Sequence, residues 1–200
     1  TVHVICKSHL DIGFTDFAGS VVAHYLAEDF PHAVRTLKEA NQEGEDRLFV
    51  WTVGAWLLDL ALRSLPRHQA RALEEAVARG DIAYHALPFT LHSELASPPL
   101  FTAGLRIAAR LDRRFGKTTI AAKMTDVPGH TRGIIAPLVG QGVHYLHIGV
   151  NTVSRMPEVP PVFLWENQAG QRLMVHYERS YGGLTTLPGH DEALYFLHGM

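Results

Sequence analysis

The order of apolar runs and amphipathic segments is the feature that most constrains the fold of this chain. Over residues 1–150, short patterns typical of buried strands alternate with helical patterns. The predicted strands are Val2–Cys6, Leu48–Val53, Ile82–Ala86, Ile120–Met124 and Tyr145–Ile148. Such alternation is typical of parallel strands joined by right-handed helical crossovers. The sequence therefore predicts an α/β fold.

Helical patterns connect these strands, and the pattern changes after residue 150. The predicted helices are Gly19–Ala40, Ala55–Ser64, Pro66–Arg79, Pro99–Phe115 and Thr131–Val139. Beyond them, Val162–Glu166 and Arg172–Tyr177 flank the turn sequence Asn-Gln-Ala-Gly, which predicts a β-hairpin. The pattern alone does not separate an open doubly wound sheet from a β/α-barrel. In both folds, ligands bind at the carboxyl ends of the strands.

Composition restricts the classes of function. The chain has 200 residues, of which 46% are hydrophobic and 19% charged, as in ordinary globular domains. A net charge of −2 gives no electrostatic reason to expect nucleic acid or an anionic membrane as partner. Cys6 is the only cysteine, which excludes an internal disulfide and a thiolate metal cluster. Because residues 1–20 show no signal-peptide pattern, we expect a cytoplasmic protein, and no feature predicts its oligomeric state.

Two short motifs place metal-ligand side chains directly after predicted strands. His9 and Asp11 follow the first strand in His-Leu-Asp-Ile-Gly-Phe, and residues two apart in an extended segment point the same way. Asp126 follows the fourth strand in Thr-Asp-Val-Pro-Gly-His-Thr, where the start of a helix favours an ionised carboxylate. Imidazole nitrogen and carboxylate oxygen suit Zn²⁺. Each residue alone also has a structural interpretation, either a histidine bonded to a loop carboxylate or a helix-capping aspartate.

Together, the two motifs resemble the paired signatures of glycoside hydrolase family 38, the α-mannosidases and their relatives, and most closely a divergent bacterial branch. That family has His-x-Asp-x-Gly-aromatic followed by Asp-x-x-Gly-His-Ser/Thr, in the same order and at a similar separation. The resemblance covers roughly residues 1–185. It implies a seven-stranded β/α-barrel, of which residues 1–200 would be the N-terminal, incomplete part of a single glycosidase domain.

The resemblance also implies roles for individual residues. His9, Asp11 and Asp126 would bind one Zn²⁺, and Asp126 would also be the nucleophile of a retaining glycosidase acting on an α-linked, mannoside-like sugar. Phe14, at the family's usual tryptophan, would form an aromatic wall under the sugar ring, and Tyr181 would contact the substrate. The family's acid/base aspartate and last histidine ligand would lie after residue 200. The chain alone is therefore expected to be inactive.

Further histidines and polar residues follow the predicted strands. His92 and Glu94 come after the third strand and Asn151 after the fifth, so we predict that they contact substrate; turn hydrogen bonding is the alternative. His144 and His147 lie three apart on the fifth strand and point to opposite faces. We therefore expect core or rim histidines there, with no shared metal.

Two other functions remain compatible with the residues. A metal-dependent deacetylase or amide hydrolase on a similar barrel would use the same ligands to activate water. A catalytically silent domain would keep only a sugar-binding pocket. The glycosidase and the silent domain both imply a carbohydrate partner.

Overall fold

The computed structural model describes residues 2–41, 49–127, 129–151, 153–178 and 193–198. Its strands are β1 Val2–Lys7, β2 Trp51–Gly54, β3 Ile82–His85, β4 Ala121–Asp126, β5 Tyr145–Val150, β6 Val162–Glu166, β7 Arg172–Glu178 and β8 Ala193–His198. Its α-helices are α1 Ala18–His24, α2 Phe30–Ala40, α3 Ala55–Ser64, α4 Arg67–Arg79, α5 Pro98–Phe115 and α6 Ile135–Gly140. Every strand expected from the sequence is present, with ends shifted by a few residues, and β8 is an addition.

The strands form two four-stranded sheets. One has the order β3-β2-β1-β8 and is entirely parallel. The other has the order β4-β5-β7-β6, in which only β6 is antiparallel, so the predicted hairpin is confirmed. The sheets meet where the Ala86 amide donates to the Ala121 carbonyl at 2.9 Å. The fold is therefore α/β with parallel sheets, and the described residues do not by themselves show a complete seven-stranded barrel.

Helix α5 illustrates how the sequence determines its own helix ends. The Ser97 hydroxyl accepts from the Leu100 amide at 3.4 Å, and prolines occupy the first turn, where a missing N–H costs nothing. Gly116 ends the helix at φ +63°, in the left-handed region that favours glycine. Its buried residues recur at helical spacing. Phe101 and Leu105 pack in the core of the second sheet, and Ala108 and Leu111 pack in the core of the first.

The predicted helix Gly19–Ala40 is interrupted by one π-helical turn. Residues Tyr25–Asp29 are π-helical and separate α1 from α2. Pro31 has no N–H to continue the regular α-helical ladder, which accounts for a bulge at this point. The Tyr25 side chain on this turn is buried, and its hydroxyl donates to the His9 carbonyl just after β1.

Two apolar cores support the sheets. The first lies between α2, α3 and α4 and the sheet of β1–β3; its fully buried members include Phe30, Leu37 and Leu57. The second lies under α5 and α6 against β4, β5 and β7. No helix in the described ranges is long and apolar enough to cross a membrane.

Candidate metal centre and active site

His9, Asp11 and Asp126 come together at the carboxyl ends of β1 and β4. One potential ligand atom from each residue lies within 4.8 Å of those of the other two. His9 Nε2 is 3.1 Å from Asp11 Oδ1, and all three residues are half-buried. Because β1 and β4 belong to different sheets, tertiary structure, and not sequence proximity, assembles the cluster.

The backbone at Asp126 is unusual. Its φ is +80°, the only positive φ found at a non-glycine residue in the described part of the chain. This conformation costs an L-residue on the order of 1 kcal/mol, and aspartate and asparagine tolerate it better than most. The Asn151 amide donates to the Asp126 carbonyl at 3.0 Å and so holds the turned backbone. Strain of this kind recurs where a side chain must be aimed at a ligand.

Asn151 makes three side-chain hydrogen bonds to the described part of the protein. Besides its bond to Asp126, its Oδ1 accepts from the Val153 amide at 3.2 Å and from the Ser154 hydroxyl at 2.8 Å. The bond to Asp126 connects the ends of β4 and β5, and the other two order the turn that follows β5. Its contact with substrate stays a prediction, whereas its role in positioning Asp126 is visible in the structure.

Replacing Asn151 with alanine should lower the free energy of unfolding by about 1–2 kcal/mol, because it removes three hydrogen bonds around a strained turn. Urea unfolding of the metal-free protein measures the change. Asn151→Asp is the matched comparison: it keeps both bonds to Oδ1 and loses only the donor to Asp126. We expect the aspartate variant to be destabilised as well; wild-type stability would show that the Asp126 contact contributes nothing.

His9 is held in the form that binds metals. Burial lowers its pKa, an effect that the neighbouring Asp11 carboxylate only partly offsets. The neutral imidazole therefore predominates, and neutral imidazole is the form that ligates a metal. From the π-helical turn, the Tyr25 hydroxyl donates to the His9 carbonyl at 2.8 Å. Burial and two nearby carboxylates raise the pKa of Tyr25 to about 12, so the hydroxyl keeps its proton and the bond persists.

The loop containing His92 and Glu94 lies beside the segment that follows Asp126. His92 Nδ1 and Glu94 Oε1 are 4.0 Å apart and largely exposed. A Cβ atom placed on Gly129 would lie 3.4 Å from Glu94 Oε1, so the two loops are in contact. Glu94 therefore lies against the segment that follows Asp126, and the binding of substrate by His92 and Glu94 stays a prediction.

Phe14 and Tyr181 were also predicted to contact substrate. Phe14 is 87% exposed in the loop after β1, with its ring available for stacking. Tyr181 lies outside the described residues. Both assignments stay predictions.

A buried polar layer lies deeper in the strands and was not predicted from the sequence. Lys7 and Lys123 are each less than a tenth exposed, and His85 is buried with them. Burial lowers the pKa of Lys7 to about 8, opposed in part by the Glu178 carboxylate. Burial, reinforced by Lys7, lowers the pKa of Lys123 to about 7, and its amine donates to the Thr125 hydroxyl at 2.9 Å. The sign of this layer in the sequence is a lysine within an otherwise apolar strand.

A second group of possible ligands joins β5 to β7. His147 Nε2 is 3.0 Å from Glu178 Oε2, and His176 Nε2 is 3.7 Å from Glu178 Oε1. His147 is buried, as expected of a core histidine, and His144 is exposed, as expected of a rim histidine. The contacts of Glu178 with His147 and His176 were not predicted from the sequence, because they depend on the pairing of β5 with β7.

No protein-family model matches the sequence, and no curated protein sequence matches it. Among solved structures, the chain is similar to an α-mannosidase from Enterococcus faecalis V583, with a TM-score of 0.67 over 88% of this chain and 13% identity. The fold is mannosidase-like. A 4-α-glucanotransferase from Thermococcus litoralis is also similar, with a TM-score of 0.55 over 89% of this chain and 14% identity.

The likeness is one of fold. The chain spans 20% of the length of the mannosidase and 28% of that of the glucanotransferase. Both neighbours are carbohydrate-active enzymes by name, so the fold is of a kind used for glycoside chemistry. At these identities, residue roles do not transfer from the neighbours.

Proposed function

We propose that this chain is the N-terminal part of the barrel domain of a zinc-dependent retaining glycosidase that hydrolyses an α-linked, mannoside-like sugar. The convergence of His9, Asp11 and Asp126 at the carboxyl ends of β1 and β4 carries this proposal. The mannosidase-like fold and the paired family 38-like motifs support it. In the complete protein, later strands would finish a seven-stranded barrel and supply the acid/base carboxylate and a further histidine ligand.

The three side chains fit a zinc ion. One imidazole nitrogen and two carboxylate oxygens are ligands that Zn²⁺ accepts, and their atoms are close enough to converge on one ion. The lowered pKa of His9 removes the need to displace a proton. Bound there, Zn²⁺ would act as a Lewis acid toward sugar hydroxyls.

The proposed chemistry centres on the Asp126 carboxylate. It would attack the anomeric carbon while the bond to the leaving oxygen breaks and the acid/base group protonates that oxygen. Water, deprotonated by the same group, would then displace Asp126 and release the sugar with its anomeric configuration retained. Asn151 would act by holding the Asp126 backbone, whose left-handed conformation fixes the direction of the carboxylate.

Zinc content is the first test. The complete protein should lose one equivalent of zinc per chain when Asp11 is replaced by alanine, because the carboxylate ligand is gone. Asp16→Ala is the matched control. Asp16 lies in the same loop, and within the described residues its recorded hydrogen bond is to the amide of its neighbour, Phe17. Inductively coupled plasma mass spectrometry gives the count. Equal zinc in wild type and Asp11→Ala would remove the metal from the proposal.

Covalent trapping separates the glycosidase from its rivals. A 2-deoxy-2-fluoro glycoside with an activated leaving group should label the complete protein, with the added mass on the peptide that contains Asp126. The label should be absent from Asp126→Asn. Release of acetate from acetylated sugars without any labelling would instead support a deacetylase, and binding without either reaction would support a silent sugar-binding domain.

A further inference from the structure

We propose that His147, His176 and Glu178 form a second metal site, which binds a divalent transition-metal ion such as Zn²⁺ through two imidazoles and one carboxylate. This site shares no residue with the His9–Asp11–Asp126 cluster and comes from different strands. It does not depend on the proposed glycosidase function.

Strand pairing brings the three residues to one face. β5 and β7 are parallel, and their register places His147 beside His176. Glu178 lies two residues after His176, so it points to the same side of the sheet. Its neighbour in register on β5 is Gly149, which has no side chain to fill the space beside Glu178. The carboxylate can therefore lean toward His147.

The distances suit a shared ion. Each Glu178 oxygen faces a different imidazole, at 3.0 Å from His147 Nε2 and 3.7 Å from His176 Nε2. One potential ligand atom from each of the three residues lies within 4.8 Å of the others. Ligand atoms about 2.0–2.2 Å from a tetrahedral zinc ion are about 3.3–3.6 Å apart, so small side-chain movements complete the geometry. Two histidines and a carboxylate are also a ligand set that leaves a coordination position open.

Tyr145 supplies the outer support that metal-binding histidines usually have. Its hydroxyl lies 3.2 Å from His176 Nδ1, on the side of the ring away from Glu178. In the His176 tautomer that donates Nδ1–H to this hydroxyl, the Nε2 lone pair faces the carboxylate and is available to a metal ion. Outer hydrogen bonds of this type are what fixes the ligating tautomer of metal-binding histidines.

Burial gives the site one closed and one open side. The His147 side chain is 1% exposed, whereas those of His176 and Glu178 are 17% and 21% exposed. An ion can therefore enter past His176 and Glu178. Of the described residues, Lys7 and Lys123 carry positive charge close enough to act on the cluster, and this charge opposes a metal ion there. They are expected to weaken the site, not to abolish it, because three ligands remain available.

A two-by-two design on the complete protein tests this site and the first one separately. Wild type, Asp11→Asn, Glu178→Gln and the double variant are stripped with a chelator and reloaded with Zn²⁺ alone. Zinc per chain is then measured after gel filtration. We expect about two, one, one and zero equivalents respectively. If only the first site existed, wild type and Glu178→Gln would each bind one zinc ion and the two variants with Asp11→Asn would bind none, which would overturn this proposal. If only the second site existed, wild type and Asp11→Asn would each bind one zinc ion and the two variants with Glu178→Gln would bind none. That result would support this proposal and remove the first site.

Further variants guard against misfolding and refine the assignment. His176→Asn should lose one equivalent of bound zinc, as Glu178→Gln does. His144 is exposed and directly precedes β5, so His144→Asn should lose no zinc. Tyr145→Phe should keep the site but weaken its zinc affinity about 10–100-fold, because it removes only the outer support. The chelated variants should unfold at wild-type temperature. Unchanged zinc binding in both Glu178→Gln and His176→Asn would show that the cluster is a hydrogen-bonded network only.

Discussion

Asparagine in place of Asp126 should reduce the turnover of an activated α-glycoside by the complete protein roughly 10⁴-fold, because an amide cannot form the covalent glycosyl intermediate. The substitution preserves side-chain shape, and asparagine tolerates the φ of +80° as aspartate does. Steady-state kcat with an aryl glycoside measures the loss. Activity within tenfold of wild type would rule out Asp126 as the nucleophile.

Asp126→Gly sharpens that test by separating chemistry from folding. Glycine relieves the positive φ, so this variant should unfold at a higher temperature than wild type while being equally inactive. Added azide should restore part of the turnover in the glycine variant by occupying the vacated space and attacking the anomeric carbon. Lost stability together with lost activity would point to a structural role for the carboxylate.

Lys123→Met should raise the free energy of unfolding at pH 6 by on the order of 3 kcal/mol, although it deletes a hydrogen bond to Thr125. The reason is that burial disfavours the ammonium, whose pKa falls from 10.5 to about 7 in the folded chain. Methionine has a similar length without the charge. Urea unfolding of the chelated protein measures the gain, and exposed Lys38→Met serves as the near-neutral control.

The same buried lysine predicts the pH dependence of wild-type stability. Between about pH 7 and pH 10, the unfolded chain holds a proton at Lys123 that the folded chain has lost, so stability should rise with pH. Lys7, with a pKa of about 8, adds to the rise from about pH 8. Above about pH 10 the trend should reverse, because burial raises the pKa values of Tyr25 and Tyr145 to about 12.

Lys123→Met should flatten this pH profile as well as raise it. A variant less stable than wild type at every pH would mean that the ammonium makes interactions stronger than its cost of burial. A higher free energy of unfolding with an unchanged pH dependence would mean that packing, and not charge, is responsible.

The sequence predicted those parts of the fold that depend on local pattern. Apolar runs bounded by helix signals revealed β1 to β5, and the Asn-Gln-Ala-Gly turn revealed the β6–β7 hairpin. β8 escaped because a short apolar run near residue 195 cannot be told from a helical segment by periodicity alone. The π-helical turn escaped because it depends on how the chain accommodates Pro31 within an otherwise regular pattern.

The candidate site residues also fall into those that local sequence pattern predicts and those that depend on strand pairing. His9, Asp11 and Asp126 were predictable because each directly follows a strand, and parallel folds gather strand ends. His176 and Glu178 were not, because their relation to His147 exists only once β5 and β7 pair in a particular register. Local spacing carries no information about register between strands that are not adjacent in sequence.

The pairing of β8 with β1 has a consequence for how the protein is made. β1 carries His9 and Asp11 at its end, and its second neighbour is formed by residues 193–198. A ribosome delivers these residues well after β1 has emerged, and until then β2 is the one neighbour in this sheet that can lie beside β1. Contacts of such long sequence separation form slowly. We therefore expect the end of β1 that carries His9 and Asp11 to become rigid only after about residue 198 has left the ribosome. Under the proposed function, metal capture would then wait until the surrounding strands are in place.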